Sequence, residues 1–170
     1  MNELCENYIE EYGKVPLKGE YDVIVAGSGV AGVAAALSAK RMGKKVLLIE
    51  KSLTLGGLAT LGLINFFVPM CNGRGKQIIY GMAEELLRES IKYGYDTIPA
   101  DWLDGEPQGE TKSRYLTRFS ANIFALVLTE MITDSGVDLL LDTVISKPVM
   151  ENGHCKGLIV ENKTGREYFE

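Results

Sequence analysis

The spacing of apolar residues changes several times along the chain, and each change marks an element. Residues 1–20 are polar and broken by Gly13, Pro16 and Gly19, which predicts a loose or partly helical lead-in. Tyr21 to Ala26 (YDVIVA) is a short apolar, β-branched run and predicts a buried strand. Val30 to Met42 is Ala-rich and predicts a helix. Lys45 to Ile49 predicts a second buried strand, closed by Glu50. Residues 51–75 carry Gly56-Gly57, Gly62, Gly73 and Gly75 and predict a glycine-rich loop.

From Gln77 to Tyr93 the period becomes helical, with Ile78, Ile79, Met82, Leu86, Leu87 and Ile91 at three- and four-residue steps. Residues 94–114 are polar and predict a loop. Leu116 to Ser135 is helical again, through Phe119, Ile123, Leu126, Val127 and Met131, with Gly136 as a stop signal. Val137 to Leu141 then predicts a buried strand. Thr143–Met150, Lys156–Glu161 and Glu167–Phe169 predict three more, joined by turns at Glu151-Asn152-Gly153 and Asn162-Lys163-Thr164-Gly165. The fold class is α/β: a parallel sheet built on a β-α-β unit, with a helical insertion and a C-terminal β-meander.

The glycines between the first strand and helix have a distinct spacing. Gly27-Ser28-Gly29-Val30-Ala31-Gly32 reads G-x-G-x-x-G at a strand-to-helix turn, with an acid closing the next strand. That context is the dinucleotide fingerprint. Gly27 permits the tight turn. Gly29 lacks a Cβ, so a pyrophosphate can approach the backbone. Gly32 lets helix and strand pack closely. The first-turn N–H groups and the positive end of the helix dipole face the anion. Glu50 can accept hydrogen bonds from ribose hydroxyls and repels a 2′-phosphate.

The order of elements bears on which dinucleotide. A plain NAD-binding domain brings its third parallel strand soon after the acid. Here the next convincing parallel strand starts at Val137, after two helices and a glycine-rich loop. Such an excursion suggests a second layer reaching a larger ligand.

Composition narrows the class further. With 46% hydrophobic and 24% charged residues the chain has ordinary globular proportions. The net charge is −5 and no basic cluster stands out, which argues against nucleic acid as a partner. No apolar run is long enough to span a bilayer, and the acidic N-terminus (Met1 to Glu6) does not read as a signal peptide, so a cytoplasmic location is expected. Cys5, Cys71 and Cys155 form no C-x-x-C pair. With His154 as the single histidine, in an expected turn, neither a structural zinc nor a Ser–His triad is expected. No metal site is predicted.

Glu50-Lys51 followed by Leu55-Gly56-Gly57-Leu58-Ala59-Thr60 resembles the segment after the second strand in FAD-dependent oxidoreductases with the glutathione-reductase type of Rossmann-like FAD fold. The lead-in Gly19-Glu20-Tyr21-Asp22-Val23-Ile24-Val25 is similar as well. The resemblance covers most of residues 19–170. It implies that Gly27, Ser28, Gly29, Val30, Ala31 and Gly32 lie against the pyrophosphate. It implies Glu50, with Lys51 beside it, at the adenosine ribose. Gly56, Gly57, Leu58, Ala59 and Thr60 would pass close to the pyrophosphate, ribityl or isoalloxazine part, and Val144 would present its backbone to the adenine.

On this view residues 1–20 are a lead-in and residues 21–170 an FAD-binding domain, incomplete against full-length members of the resembled family. Those members continue with a further strand, a substrate domain and a late flavin-holding segment. The implied reaction is hydride transfer between a small-molecule substrate and FAD. Two other readings stay open: an NAD-binding dehydrogenase module, and a non-catalytic fragment or subunit that needs a partner chain. An exposed sheet edge would favour self-association, and a missing C-terminal domain is the other expectation. No catalytic residue is assigned. Cys71, Arg74, Lys76, Tyr115 and Arg118 are weak candidates, and Trp102 reads as a packing anchor.

Overall fold

The computed structural model describes residues 13–68, 70, 72, 76–93 and 117–170. Strand β1 is Leu17–Gly19, β2 is Val23–Ala26, helix α1 is Val30–Arg41 and β3 is Val46–Ile49. A 3₁₀ turn follows at Gly57–Ala59, then β4 at Phe66–Phe67 and α2 at Met82–Ser90. Strand β5 is Thr117–Arg118, α3 is Ala121–Ser135 and β6 is Asp138–Leu140. The chain continues through β7 at Val144–Glu151, β8 at His154–Asn162 and β9 at Gly165–Phe169.

The parallel sheet has the order β2-β3-β6. Val23 to Ala26 register against Val46 to Ile49, and Leu47 to Ile49 against Asp138 to Leu140. As the middle strand, β3 is covered on both faces, and all four of its residues are buried. That is why its sequence is a continuous apolar run rather than an alternating one. Val46 and Leu48 face a core with Val33, Ala36 and Leu37 of α1 and Phe124, Leu128 and Ile132 of α3. Leu47 and Ile49 face the other way, onto Val160 and Phe169 of the meander. The result is three layers: helices, parallel sheet and β-meander.

The helix ends follow local chemistry. Past α1, Gly43 takes φ +77 and its N–H bonds to the Lys40 carbonyl, while Lys40 and Arg41 sit in the last turn against the dipole. Helix α2 has Glu84 and Glu85 in its first turn, and the Arg41 guanidinium pairs with the Glu85 carboxylate to tie α1 to α2. Ser120 caps α3 by accepting from the Ile123 N–H, and Gly136 ends it at φ +76.

Some expected boundaries move. Gly81 stands at φ +69, so α2 starts at Met82 instead of Gln77. The helix expected from Leu116 starts at Ala121, because Ser120 caps it and Thr117–Arg118 pair with Phe66–Phe67. That two-strand pairing crosses the expected loop and packs Phe67 on Phe119 and Phe124, with ring centroids 5.3 and 6.2 Å apart. Residues 17–19, expected to be loose or partly helical, form β1 and lie parallel to β9, Leu17 opposite Tyr168 and Gly19 opposite Phe169.

The meander turns fall where expected. Asn152 and Gly153 both have positive φ, the signature of a tight hairpin turn. His154 closes that turn as its fourth residue, opposite Glu151, and is also the first residue of β8. In the second hairpin Asn162 Oδ1 accepts from the N–H and hydroxyl of Thr164. Among the described residues no helix is long and apolar enough to cross a membrane.

Candidate dinucleotide site

The site is assembled from three turns that meet at the carboxyl end of the parallel sheet. The first is the β2–α1 turn. Gly27 adopts φ +97, and a Cβ on Gly32 would stand 1.9 Å from the Gly27 carbonyl oxygen, so only glycine closes this turn. Gly29 differs: its missing Cβ faces open space, with nothing within 4 Å. It is also the N-cap of α1, where no side chain caps the helix and no acid occupies the first turn. The first-turn amides of a helix have no intrahelical acceptor. Here they look past a bare glycine toward an open surface, the arrangement that receives an anion.

The second turn runs from Gly56 to Thr60. The Gly56 N–H donates to the Ser28 carbonyl at 2.8 Å, and Gly29 and Gly56 form a parallel bridge. A Cβ on Gly57, itself at φ +54, would lie 3.2 Å from Gly29 Cα. Two glycine backbones are therefore in near contact. Thr60 is buried and locks the turn from behind, its hydroxyl donating to the Leu55 carbonyl at 2.5 Å. Ala59 is half-buried, whereas Leu58 projects with 71% of its surface exposed.

The third turn follows β3 and holds Glu50, which is only 8% exposed. Its Oε2 accepts from both the N–H and the hydroxyl of Ser28, each at 2.8 Å, and its Oε1 accepts from the Ser52 N–H at 2.8 Å. Burial pushes the Glu50 carboxyl up, but the donors of Ser28 and Ser52 outweigh it and hold the group below the ordinary glutamate value. Glu50 is thus a fixed anion.

A cleft of about 270 Å³ opens beside it, lined by Ala26, Gly27, Ile49, Glu50, Lys51, Thr143, Val144 and Ile145. Val144 is 55% exposed, and Lys51 is exposed at the rim. The structure thus brings Gly27, Glu50, Lys51 and Val144 around one cleft, and Ser28, Gly29, Gly56 and Gly57 into one packed seam. Val30 and Ala31 are exposed at the start of α1. Ser28 has no exposed surface; its side chain faces Glu50 and not the open space in front of Gly29.

Sequence reasoning missed Ser52 and Thr143. Ser52 fixes Glu50, and the Thr143 N–H donates to the Glu50 carbonyl at 3.1 Å. A turn-forming Ser two residues past the acid, and a Thr immediately before Val144, were the available signals. Cys5, Cys71, Arg74, Trp102 and Tyr115 lie outside the described residues. Arg118 is exposed, with its guanidinium carbon 5.9 Å from the Phe66 ring centroid. Lys76 is exposed and its N–H donates to Asn72 Oδ1.

The donor set and the glycine seam fit the pyrophosphate and ribose of FAD. Gly29 leaves backbone room for an anion, α1 has no capping side chain to compete with it, and Glu50 offers an acceptor at the cleft. The NADH:fumarate oxidoreductase of Klebsiella pneumoniae is 50% identical over 180 aligned positions, covering 90% of this chain and 20% of that protein. A digeranylgeranylglycerophospholipid reductase of Methanoculleus marisnigri is 28% identical over 155 residues, covering 83% of this chain and 34% of that protein. A solved geranylgeranyl bacteriochlorophyll reductase-like protein from Thermoplasma acidophilum shares the fold, with a TM-score of 0.57 at 19% identity over 89% of this chain and 37% of that one. The chain therefore spans 20% to 34% of the length of the two curated relatives. The family model described as FAD dependent oxidoreductase matches residues 22–170, from β2 through the whole glycine seam to the meander, and the chain belongs to that family.

Proposed function

We propose that residues 21–170 are the FAD-binding unit of an enzyme that moves a hydride between a small-molecule substrate and the flavin. The observation that carries this is the meeting of Gly29, Gly57 and Glu50: a bare helix N-terminus, a second glycine turn against it, and a fixed carboxylate beside a cleft. When bound, FAD supplies the two-electron chemistry, and the protein supplies position and electrostatics.

In this reading Gly29, Val30, Ala31 and Gly32 hold the pyrophosphate through backbone amides and the α1 dipole, while Gly27, whose N–H donates to the Ile49 carbonyl, shapes the turn against it. Ser28 contributes its backbone to that turn. Glu50 accepts from the adenosine ribose, with Lys51 at the rim, and repels a 2′-phosphate. Val144 borders the adenine, joined by Thr143 and Ile145 of the same cleft. Gly56, Gly57, Leu58, Ala59 and Thr60 run beside the pyrophosphate and ribityl chain, and exposed Leu58 faces the flavin side. The relatives named above are oxidoreductases, which supports the redox reading. An exposed thiol at Cys155 suits a reducing, cytoplasmic setting.

The test is the absorbance spectrum of the purified chain, with mass spectrometry of any small molecule that co-purifies. Flavin absorbance, or its appearance with saturable stoichiometry when FAD is added, supports the reading. A folded chain that takes up no FAD contradicts it.

A further inference from the structure

The hydroxyl of Ser28 is not used by the backbone cradle just described. Ser28 is fully buried, so the hydroxyl lines no ligand space. It lies 2.8 Å from Glu50 Oε2, alongside the Ser28 N–H at the same distance. The Ser28 carbonyl accepts from the Gly56 N–H at 2.8 Å. One residue therefore touches all three turns of the site.

Counting lone pairs gives this arrangement a consequence. Each carboxylate oxygen accepts about two hydrogen bonds. The two Ser28 donors saturate Oε2, and the Ser52 N–H takes one position on Oε1. Glu50 lines the cleft, and its two oxygens are held unequally: Oε2 by both donors of Ser28, Oε1 by Ser52. A glycine or alanine at position 28 would keep the N–H but leave a position on Oε2 open. The carboxylate would then have a weaker hold on its torsion, which has a broad energy well.

We infer that the Ser28 hydroxyl is a positioning group: it holds Glu50 in one orientation by filling Oε2, which leaves Oε1 as the acceptor for a group in the cleft. Resting on the FAD reading, the occupant of that acceptor is a ribose hydroxyl of the adenosine half. The lowered carboxyl pKa agrees with the geometry. Few charges share the neighbourhood. Lys51 is next in the chain and exposed. Asp142, at the β6–β7 corner, pairs at 2.7 Å with Lys163 of the β8–β9 turn. Gly27 and Gly29 of the β2–α1 turn, Ser52 and Thr54 of the loop past β3, and Val144 and Ile145 of β7 bring no charge.

The experiment uses Ser28→Ala and Ser28→Gly in the full chain, with two readouts. The first is the titration midpoint of the Glu50 carboxyl by carbon-13 NMR, without FAD. It is expected to rise in both variants, while the thermal unfolding curve stays cooperative. An unchanged midpoint in folded variants overturns the inference. The second is FAD titration at neutral pH, expected to weaken about tenfold, the scale of one hydrogen bond to a charged group. The acid limb of FAD binding should also move to higher pH. Weaker FAD binding with an unmoved Glu50 midpoint would assign Ser28 a merely structural role and overturn the inference. A raised midpoint in the variants, with no FAD binding even by the unaltered chain, supports the positioning role and overturns the FAD reading alone.

Discussion

Gly29 and Gly32 are the same residue type for opposite reasons. At Gly32 the space is taken: a Cβ would meet the Gly27 carbonyl at 1.9 Å. At Gly29 the space is open, with nothing within 4 Å. Gly32→Ala should therefore cost about 3 kcal/mol of stability, read as a lowered denaturant midpoint. Gly29→Ala should cost about 1 kcal/mol or less, the scale of an N-cap change, yet weaken FAD binding in a fluorescence titration. Equal stability losses in the two variants would undo the distinction. Glu50 carries a pH signature of its own. Its folded pKa lies below the ordinary 4.5, so the stability from its hydrogen bonds is present above that value and is lost as pH falls through the folded pKa. Glu50→Gln should therefore flatten the acid limb of the stability–pH curve below about pH 4.5, measured by urea unfolding. At this scale the glycines and Glu50 were legible because their spacing is dictated by backbone sterics. The inward turn of Ser28 was not, because a serine beside a bound anion and a serine bonded to a carboxylate look alike in sequence.

At the scale of elements, helix α3 shows which signals suffice. Its apolar stripe was plain, but the stripe continued upstream through Leu116 and Phe119 and hid the cap at Ser120. The structure spends Thr117 and Arg118 on a strand pair and Phe119 on an aromatic cluster, where Phe119 and Phe124 have centroids 4.9 Å apart. Phe124 is fully buried against both helix and sheet layers. Phe124→Ala should cost about 3–5 kcal/mol, measured as a shift in the urea midpoint, whereas exposed Leu126→Ala should change it by about 0.5 kcal/mol or less. A similar loss at both positions would contradict the packing of α3. The parallel strands and both hairpins were legible from local pattern: a continuous apolar run for β3, and turn residues such as Asn152-Gly153. The pairs β4 with β5 and β1 with β9 were not, because each joins segments far apart in sequence, and β1, β4 and β5 have only two or three residues apiece, too few to show a period.

At the scale of the whole molecule, the three layers explain why the site sits where it does. The helices and the meander cover β3 from both sides, so the turns at the carboxyl ends of β2 and β3 have packed layers behind them. Open α/β sheets place their ligands at that end of the strands. The layer order also separates the cofactors by argument, since Glu50 suits the ribose of NAD as well as that of FAD, whereas the Gly56–Thr60 turn packed on Gly29 is an addition that a plain NAD fold does not need. The direct test is competitive calorimetry of the full chain with FAD and NAD. The account predicts saturable FAD binding at one per chain, tighter than NAD, and greatly weakened by Glu50→Ala. Tighter binding of NAD, or FAD binding indifferent to Glu50→Ala, would contradict it.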